Sequence, residues 1–435
     1  MNPNRAGVML ENIREMANGP ARLLIQSKRL HDGIAILHER RAGALGKVLK
    51  EMSSLGTSQT AFQKIIEDLG MQYRYTWTKE VEGGVLRSDE FKILILPYTQ
   101  ILSDKELDEI KAFVRSGGMV LADLRPATCD WNGKPLAKGA LDEVFGIEQD
   151  CATARQMKGT MQWTLRPDGA ALPAALSAPG MRADGSVKAT TAKSTATIAD
   201  APAVLVNTFG KGKAVLLNQA PTTYRTLLNR GQAKELRELY RAVLTLGGAT
   251  RRFQVKDARG EDVAGAELAV FKNGPLEFLT LEKGSLEFEK YPIKATIELD
   301  REYEVYNVRT GAKIGKTNRI PVELSGLGCY VYTLLPYGVT GFSVDAPKEV
   351  RRGSDATIGL KLAVTDGAPG PHTVRVDVIR PNGERLWPMV KLELSDGAGK
   401  VVLPVALNDA LGNWTVTATD VATGLNETRK INVVE

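Results

Sequence analysis

The stretch FKILILPYTQILSDKELDEIKAFVRSGGMVLAD, residues 91–123, decides the fold class of the chain. Residues 91–97 are mostly apolar without strict alternation, as expected of a strand that is covered on both faces of a parallel sheet. Ser103 and Glu106 then form a capping box, which predicts a helix that ends at a glycine pair. A second apolar strand follows at 119–123. This order of strand, helix and strand predicts a right-handed crossover in a doubly wound sheet.

The same alternation is found before this stretch. A short buried strand is predicted at 33–38, and a helix with one apolar face is predicted at 58–69. Ser58 or Thr60 is the expected cap of that helix, because serine and threonine are favoured at helix N-termini. The first third of the chain is therefore expected to be an α/β domain.

After residue 123 the alternation is interrupted and then returns. Residues 150–200 are rich in Ala, Thr, Ser and Gly and are interpreted as an irregular or β-containing insertion. Residues 201–218 have the pattern of a β-hairpin that turns at 210–212, and a helix is expected around 231–246. The α/β domain is therefore expected to close near residue 250.

Helical periodicity disappears after residue 250. Residues 251–337 contain short alternating segments separated by Gly, Asn and Pro, which predicts a small β-sandwich or barrel. Residues 342–435 repeat this texture and predict an immunoglobulin-like sandwich, although the Cys, Trp, Cys signature of antibody domains is absent. Residues 9–31 have the apolar period of a helix with a break at a Gly-Pro pair. The predicted organisation is an N-terminal helical segment (1–30), an α/β domain (31–250), a small β domain (251–340) and an immunoglobulin-like sandwich (341–435).

Composition excludes several classes of function. The 57 Lys and Arg residues give a formal charge of +6, but they are interleaved with 51 Asp and Glu residues. Nucleic-acid binding needs a concentrated basic stripe, so no nucleic-acid partner is expected. No apolar run approaches the roughly 20 residues that span a bilayer, and the N-terminus lacks the pattern of a signal peptide. The chain is expected to be soluble, without a membrane partner, and cytoplasmic by default.

Cysteine and histidine usage gives no sign of a metal or cofactor site. The three cysteines and three histidines are Cys129, Cys151, Cys329, His31, His38 and His372. The cysteines are odd in number, widely spaced and without a CxxC pair, so neither zinc binding nor a disulfide framework is indicated. We therefore expect buried free thiols, no metal and no cofactor.

Polar residues at the ends of the predicted strands form the candidate site, because ligands of open α/β sheets gather beyond the carboxyl ends of the strands. The strand ends hold His38, Glu39, Tyr98, Thr99, Asp123, Arg125 and Asn218. His38 with Asp123 can form an acid–base pair, and Arg40 or Arg125 can hold a carboxylate or a sugar hydroxyl. The alternative is that these groups only satisfy backbone and loop contacts. We take His38, Tyr98, Asp123 and Arg125 as candidate ligand-binding residues and assign no catalytic residue.

No complete catalytic site is recognised. A nucleophile elbow of the GxSxG type is absent, and Cys129 lies in a loop beyond a strand end. Glycoside hydrolysis needs two facing carboxyl groups, usually at strand ends of an eight-fold barrel, and the chain has too few βα repeats for a barrel. Glu39 and Asp123 each have an arginine close by in sequence, which is expected to lower their pKa and spoil them as proton donors.

Three segments together resemble a known family. They are HDGIAILHERRA at 31–42, the stretch from 91 to 134, and FGKGKAVLLN at 209–218. Over about residues 30–248 the chain is similar to the trimerisation domain of family-42 β-galactosidases, whose flavodoxin-like fold is related to class I glutamine amidotransferases. The fold class implied is a flavodoxin-like doubly wound parallel sheet followed by two β-sandwich-like domains.

The departures from that family restrict what the resemblance implies. The catalytic barrel of such β-galactosidases has no counterpart here, and the amidotransferase Cys, His and Glu triad is missing from the expected elbow. The resemblance therefore implies a fold and an assembly role but no catalytic residue. The chain is expected to be the C-terminal part of a longer glycosidase-like protein or a stand-alone relative.

Three functions compete on these grounds. The first is an assembly or accessory portion of a β-galactosidase-like glycoside hydrolase, whose partner is another copy, with a trimer favoured, or a barrel-bearing glycosidase. The second is a carbohydrate-binding or adhesion-type protein that presents Trp387, Trp414 or Tyr337 to a glycan, with core packing as the alternative for these aromatics. Trp414 is expected to point inward. The third is an independent hydrolase that uses His38 and Asp123.

Overall fold

The computed structural model describes residues 3–17, 19–49, 53–386 and 390–435. Helices and strands are interspersed up to residue 246, with a run of seven strands at 147–217, and the described residues after 246 form strands without helices. A 3-10 turn occupies Val85–Arg87. The α-helices are α1 (Pro3–Ala17), α2 (Pro20–Ile25), α3 (Arg40–Leu49), α4 (Leu55–Asp68), α5 (Thr78–Glu82), α6 (Asp104–Ser116), α7 (Asp142–Phe145), α8 (Thr223–Asn229) and α9 (Lys234–Leu246).

The strands fall into an N-terminal and a C-terminal set. The first set is β1 (Lys28–Arg29), β2 (Ile34–His38), β3 (Tyr73–Trp77), β4 (Ile93–Leu96), β5 (Met119–Ala122), β6 (Ile147–Glu148), β7 (Gln156–Leu165), β8 (Ala171–Asp184), β9 (Lys188–Ala189), β10 (Lys193–Ile198), β11 (Ala201–Phe209) and β12 (Gly212–Leu217). The second set is β13 (Gln254–Asp257), β14 (Ala266–Asn273), β15 (Leu276–Lys283), β16 (Ile293–Asn307), β17 (Lys313–Leu324), β18 (Gly328–Leu335), β19 (Val339–Asp345), β20 (Glu349–Arg351), β21 (Asp355–Val364), β22 (Thr373–Ile379), β23 (Val390–Glu393), β24 (Ala398–Pro404), β25 (Gly412–Asp420) and β26 (Asn426–Val434).

A nine-stranded sheet organises the α/β part, in the order β3-β2-β4-β5-β12-β11-β10-β7-β8. The first five strands in this order are parallel to one another, and the last four continue the sheet in antiparallel fashion. Strands β2, β4 and β5 are buried almost throughout, because helices cover both faces of this half. Apolar clusters lie on both sides of the sheet, one against α4 and α9 and the other against α6. The predicted α/β architecture is confirmed, with helices on both faces of the parallel half, whereas the sheet as a whole is mixed rather than parallel.

Helix α6 forms as the sequence predicts. The Ser103 hydroxyl accepts from the backbone N–H of Glu106 at 3.1 Å, and the Glu106 carboxylate accepts from the N–H of Ser103 at 2.9 Å. This reciprocal capping box satisfies two N–H groups that no helical carbonyl can reach. Its last turn closes on Gly117, which has a φ of 124° that other residues rarely adopt.

Helix α4 begins earlier than predicted. Its cap is Ser54, whose hydroxyl accepts from the N–H of Thr57 at 3.3 Å. Ser58, one of the two expected caps, is fully buried inside the helix, where its hydroxyl contacts that of Ser53 at 2.8 Å. The apolar period alone did not reveal the first turn, because that turn is partly solvent-exposed.

The segment interpreted as an irregular or β-containing insertion is regular. It supplies β7, β8 and β10, which extend the main sheet, and β9, which pairs with β6. Most side chains of β7 and β8 alternate between solvent and one covered face. Alanine, threonine and serine are small enough for such a half-exposed hairpin, and this explains why the segment lacked an apolar pattern.

Residues 251–337 form one sheet rather than a two-sheet sandwich. Strand β16 bends at a register shift between Glu298 and Tyr303, which allows it to pair with β13, β17 and β18. Side chains from all six long strands of the sheet meet in one core, so the sheet curls around that core. The barrel-like alternative describes this unit better than the sandwich.

Residues 339–434 form two facing sheets, β19-β21-β24 and β20-β26-β25-β22-β23, around a common core. The prediction of a β-sandwich agrees with this arrangement of two sheets around one core. None of the described helices is long and apolar enough to cross a membrane.

The N-terminal segment is attached to the β-rich half. Leu23 of α2 is buried in a cluster contributed by the curled sheet and the last sandwich. Gly19 permits this contact, since a Cβ atom there would lie 2.4 Å from Cγ1 of Val421. Strand β1 then pairs with β14, so the segment predicted as wholly helical ends as an edge strand of the curled sheet.

Candidate functional site

The carboxyl ends of the parallel strands meet at one edge of the main sheet. The strand order changes direction between β2 and β4, so this is the place where an open α/β sheet would bind a ligand. Backbone strain is concentrated there, because Tyr98, Arg125 and Ala127 have positive φ values of 41°, 58° and 52°. Such conformations are unfavourable for residues with a Cβ atom and persist only where packing fixes them.

Asp123 follows β5 and is fully buried. Its carboxylate accepts a hydrogen bond from the backbone N–H of Tyr98, so it closes the loop that leaves the neighbouring strand β4. Burial raises the pKa of Asp123 to about 7, against the smaller lowering effect of hydrogen bonds from Ser58 and Tyr98. Asp123 is therefore a structural carboxyl group whose charged form is disfavoured.

Arg125 points away from Asp123. Its side chain is only 1% exposed and forms a 3.1 Å ion pair with Asp184, which is fully buried at the end of β8. It also donates to the carbonyl oxygens of Asp150 at 2.9 Å and Cys151 at 2.8 Å. The guanidinium group thus ties the loop after β5 to the loop that enters the antiparallel half.

Asp184 has further partners that fix this connection. Its carboxylate accepts from the N–H groups of Arg155 and Ser186, both at 2.9 Å. The side chain of Asn218 donates to the Asp184 carbonyl and to the Pro202 carbonyl, both at 2.8 Å. Buried charges are tolerated when they are paired and hydrogen-bonded in this way.

His38 does not share partners with Asp123. Its Nδ1 lies 3.1 Å from Oε1 of Gln59, and its ring makes an edge contact with Trp77 at a centroid distance of 4.9 Å. Asp123 is engaged by Tyr98 and Ser58 instead. The structure therefore brings Tyr98 and Asp123 together and leaves His38 and Arg125 with other partners.

The expected lowering of two carboxyl pKa values by neighbouring arginines is wrong. Burial raises the pKa of Glu39 as well as that of Asp123. Oε2 of Glu39 accepts from the N–H of Ala42 at 2.6 Å and so caps helix α3. Proximity in sequence misled the prediction, because Arg125 turns toward Asp184, and the effect of Arg41 on Glu39 is smaller than that of burial.

The cleft at this edge is lined by other residues. It has a volume of about 490 Å³ and includes Ser103, Lys105, Cys129 and Trp131, but none of the four candidate ligand-binding residues. Two indole rings are exposed at the same edge, Trp77 by 48% and Trp131 by 39%. The guanidinium carbon of Arg41 lies 3.1 Å from the Trp131 ring centroid. Sequence reasoning missed these aromatics because it followed only the polar strand ends.

The glycine-lysine-glycine turn at 210–212 has a packing role. Strands β11 and β12 form the predicted hairpin around it, which is thereby confirmed. A Cβ atom on Gly212 would lie 2.1 Å from the carbonyl oxygen of Gly118 and 2.2 Å from that of Val114. Glycine is required there because the turn touches the end of helix α6.

Cysteine placement only partly follows the expectation. Cys129 and Cys151 are buried, whereas Cys329 is exposed because it lies near the start of β18, on a side of that strand that faces solvent. Burial raises the pKa of Cys151 to about 11, so its thiolate is disfavoured. In the described part of the chain, no group of three or more His, Cys, Asp and Glu side chains is arranged to hold a metal ion.

Two of the three aromatic residues proposed to contact a glycan, Trp414 and Tyr337, are buried. Trp414 is 1% exposed and donates from Nε1 to the Ala410 carbonyl at 2.8 Å, as expected for a core residue. Tyr337 is buried, and its hydroxyl lies 3.0 Å from Nε2 of His372. Nδ1 of His372 in turn lies 3.0 Å from the buried carboxylate of Asp420. Trp387 lies outside the described residues.

Taken together, the fold defines a class of protein: a mixed α/β sheet whose candidate strand-end residues make structural contacts, followed by β-sheet units. Residues 73–245 match the family described as the β-galactosidase trimerisation domain. The resemblance inferred from the sequence is thereby confirmed for the α/β part. No curated protein sequence is similar enough to count as a relative.

Two solved structures of similar fold are β-galactosidases. The enzyme from Bacillus circulans sp. alkalophilus is 16% identical, with a TM-score of 0.53 over 70% of this chain and 42% of that chain. The cold-adapted β-galactosidase from Rahnella sp. R3 is also 16% identical, with a TM-score of 0.50 over 71% of this chain and 41% of that chain. The chain therefore spans about two fifths of the length of these enzymes, and the likeness concerns the fold.

Proposed function

We propose that the chain is a non-catalytic assembly portion of a β-galactosidase-like glycoside hydrolase and that it associates with further copies of itself, with a trimer favoured. The observation that carries this proposal is the match of residues 73–245 to a trimerisation domain. The strand ends, where a related sheet would hold a ligand, are occupied by structural contacts such as the Arg125–Asp184 pair. Because these strand-end residues serve structural contacts, the sheet is better suited to a role in assembly than to catalysis.

The flavodoxin-like character of the sheet is part of the same proposal. Its five parallel strands run in the order β3-β2-β4-β5-β12, which is the 2-1-3-4-5 order of flavodoxin-like folds when these strands are renumbered along the chain. The four antiparallel strands beyond β12 are an addition to that strand order.

The domain boundaries near residues 250 and 340 belong to the same proposal. Limited proteolysis tests them, and the cuts are expected at 248–252 and 337–342.

Self-association is tested by light scattering on the purified chain across a concentration series. We expect a monomer at low concentration that shifts toward a closed oligomer as the concentration rises. Stable interfaces bury at least about 1,000 Å², and contacts between copies of this chain alone are expected to bury less than that. A strict monomer at high concentration would count against the assembly role. An assay with activated aryl β-galactosides should show no turnover by the chain alone.

A second candidate function, contact with a carbohydrate, is favoured by one observation. Trp77 and Trp131 are exposed at the same sheet edge, and sugar rings pack on exposed indoles. Titration with galacto-oligosaccharides should then change tryptophan fluorescence in the wild type and not in a Trp77→Ala, Trp131→Ala double variant. An unchanged spectrum in the wild type would remove this candidate.

A further inference from the structure

Four apolar residues of helix α1 face solvent. Met9, Leu10, Ile13 and Met16 recur at spacings that share one side of a helix, and they are between 38% and 58% exposed. We call these four residues the α1 stripe. On the opposite side, the carboxylate of Glu15 binds the guanidinium group of Arg309 through contacts of 2.6 and 2.7 Å. Among the α1 side chains that the structure describes, a polar one thus holds the helix to the protein, whereas an ordinary surface helix packs through its apolar face.

An apolar groove lies far along the chain from this helix, between the β7–β8 hairpin and helix α9. Its volume is about 380 Å³. We call it the hairpin groove. Its apolar walls are formed by Trp163, Pro167, Leu172, Pro173, Ala174, Leu176, Leu239 and Ala242.

The rim of the hairpin groove is polar. It includes Arg166 and Glu238, whose side chains are 49% and 53% exposed. An apolar centre with a charged rim is the usual composition of a protein–protein contact.

The α1 stripe does not have the chemistry of a membrane anchor. Interfacial membrane helices carry several Lys and Arg residues on their polar face. Helix α1 has two basic and two acidic residues, so it offers no net attraction to an anionic lipid surface. An exposed apolar stripe of this kind instead marks a contact with protein.

We propose that the α1 stripe of one copy packs into the hairpin groove of a second copy. This inference rests on the proposed self-association and names the surfaces that carry it. The hairpin groove lies within residues 73–245, the segment that matches a trimerisation domain, and this favours a second copy over an unrelated partner. Around this contact, a stable interface would extend to about 800 Å² on each partner.

The two surfaces differ, and this has a consequence for symmetry. A patch that meets an identical patch gives a two-fold dimer, whereas two different patches give a head-to-tail contact that can close into a ring. Three copies joined in this way use three equal contacts. The stripe and the groove therefore suit a closed ring, and the trimer favoured under the proposed function is one such ring, because each copy offers one of each surface.

Two variants separate the surfaces. Ile13→Glu places a charge in the α1 stripe, and Ala242→Glu fills the hairpin groove from helix α9, where glutamate favours the helix. Leu407→Glu is the matched control, since Leu407 is 77% exposed in the last sandwich. Sedimentation across a concentration series should show an association at least tenfold weaker than that of the wild type for each of the first two variants. The control should associate as strongly as the wild type. Thermal unfolding confirms that all three remain folded.

Mixing the two variants tests the head-to-tail contact directly. Ile13→Glu protein keeps an intact groove and Ala242→Glu protein keeps an intact stripe, so an equimolar mixture should form a complex of one copy of each and grow no further. A mixture that stays monomeric overturns the proposal. If wild-type protein assembles and both variants assemble equally well, the proposal is also overturned, but the assembly role stands and the stripe serves another partner. If the wild type itself is monomeric, the proposed function fails first.

Discussion

The two halves of the main sheet differ in how they end. At the carboxyl ends of the parallel strands, polar groups such as Asp123 and Arg125 are buried and hold loops to one another. In the antiparallel half, the β7–β8 hairpin is largely exposed and borders an apolar groove. Residues with catalytic chemistry thus stabilise the interior here, while the plain apolar surface remains available for a partner. The type of residue is a poorer guide to function than its exposure.

Breaking the buried ion pair should have the largest effect. Arg125→Met removes the partner of Asp184 and the donors to two loop carbonyls. Leaving a buried charge unpaired costs about 3–5 kcal/mol, so the free energy of unfolding in urea should fall by that amount. Arg166→Met is the control, because its pair with Asp168 is about half-exposed and should matter by less than about 1 kcal/mol. Equal losses in the two variants would contradict the distinction between the halves.

Asp123→Asn should raise the free energy of unfolding, in contrast to Arg125→Met. The folded-state pKa of about 7 exceeds the ordinary value near 3.8, so the folded state favours the protonated form. Its contribution to stability is complete below about pH 4 and is lost as the pH rises through 7. At pH 8 the free energy of unfolding of the asparagine variant should therefore exceed that of the wild type by roughly 2–4 kcal/mol. At pH 4 the two proteins should be about equally stable in urea. Destabilisation at pH 8 would show that the carboxylate is needed in its charged form.

Gly212→Ala extends the comparison to the amino end of β12. The added methyl group would meet two backbone carbonyl oxygens, those of Gly118 and Val114, and neither can move like a side chain. We expect a loss of about 1–3 kcal/mol in the free energy of unfolding. Gly56→Ala is the control, since a Cβ atom there meets nothing within 4 Å and the residue lies in a helix, where alanine should be neutral or stabilising. An open glycine such as Gly169 does not serve, because its φ of 88° would strain an alanine.

The smallest effect is expected on the open half. Ser177→Lys adds a charge to an exposed position of β8, where solvent can accommodate it. The change in the free energy of unfolding should stay within about 0.5 kcal/mol. A loss comparable to that of Gly212→Ala would mean that the hairpin is packed more closely than its exposure indicates.

The sequence predicted the covered strands and capped helices well, because their signals are local. The apolar run of β4 spans only a few residues, and so does the capping box that Ser103 forms with Glu106. Strand β3, at Tyr73–Trp77, was missed although its three aromatic residues recur at every second position, the period of a strand. The partner of Arg125 lies 59 residues away, at Asp184, and no local pattern connects them. The candidate residues lie at one edge of the sheet, as the strand predictions implied, but their pairings were not predicted, and ligand binding at this edge stays a prediction.

The buried chain of Tyr337, His372 and Asp420 has a consequence for how such proteins evolve. Tyr337 lies between the last strand of the curled sheet and the first strand of the sandwich, and its hydroxyl reaches into the sandwich. Deleting or exchanging the sandwich would leave that hydroxyl without its partner, while a foreign sandwich would have to supply a histidine at the same place. A recombination event that moves one β unit alone would therefore break the hydrogen bond between Tyr337 and His372, whereas one that moves both units together would preserve it.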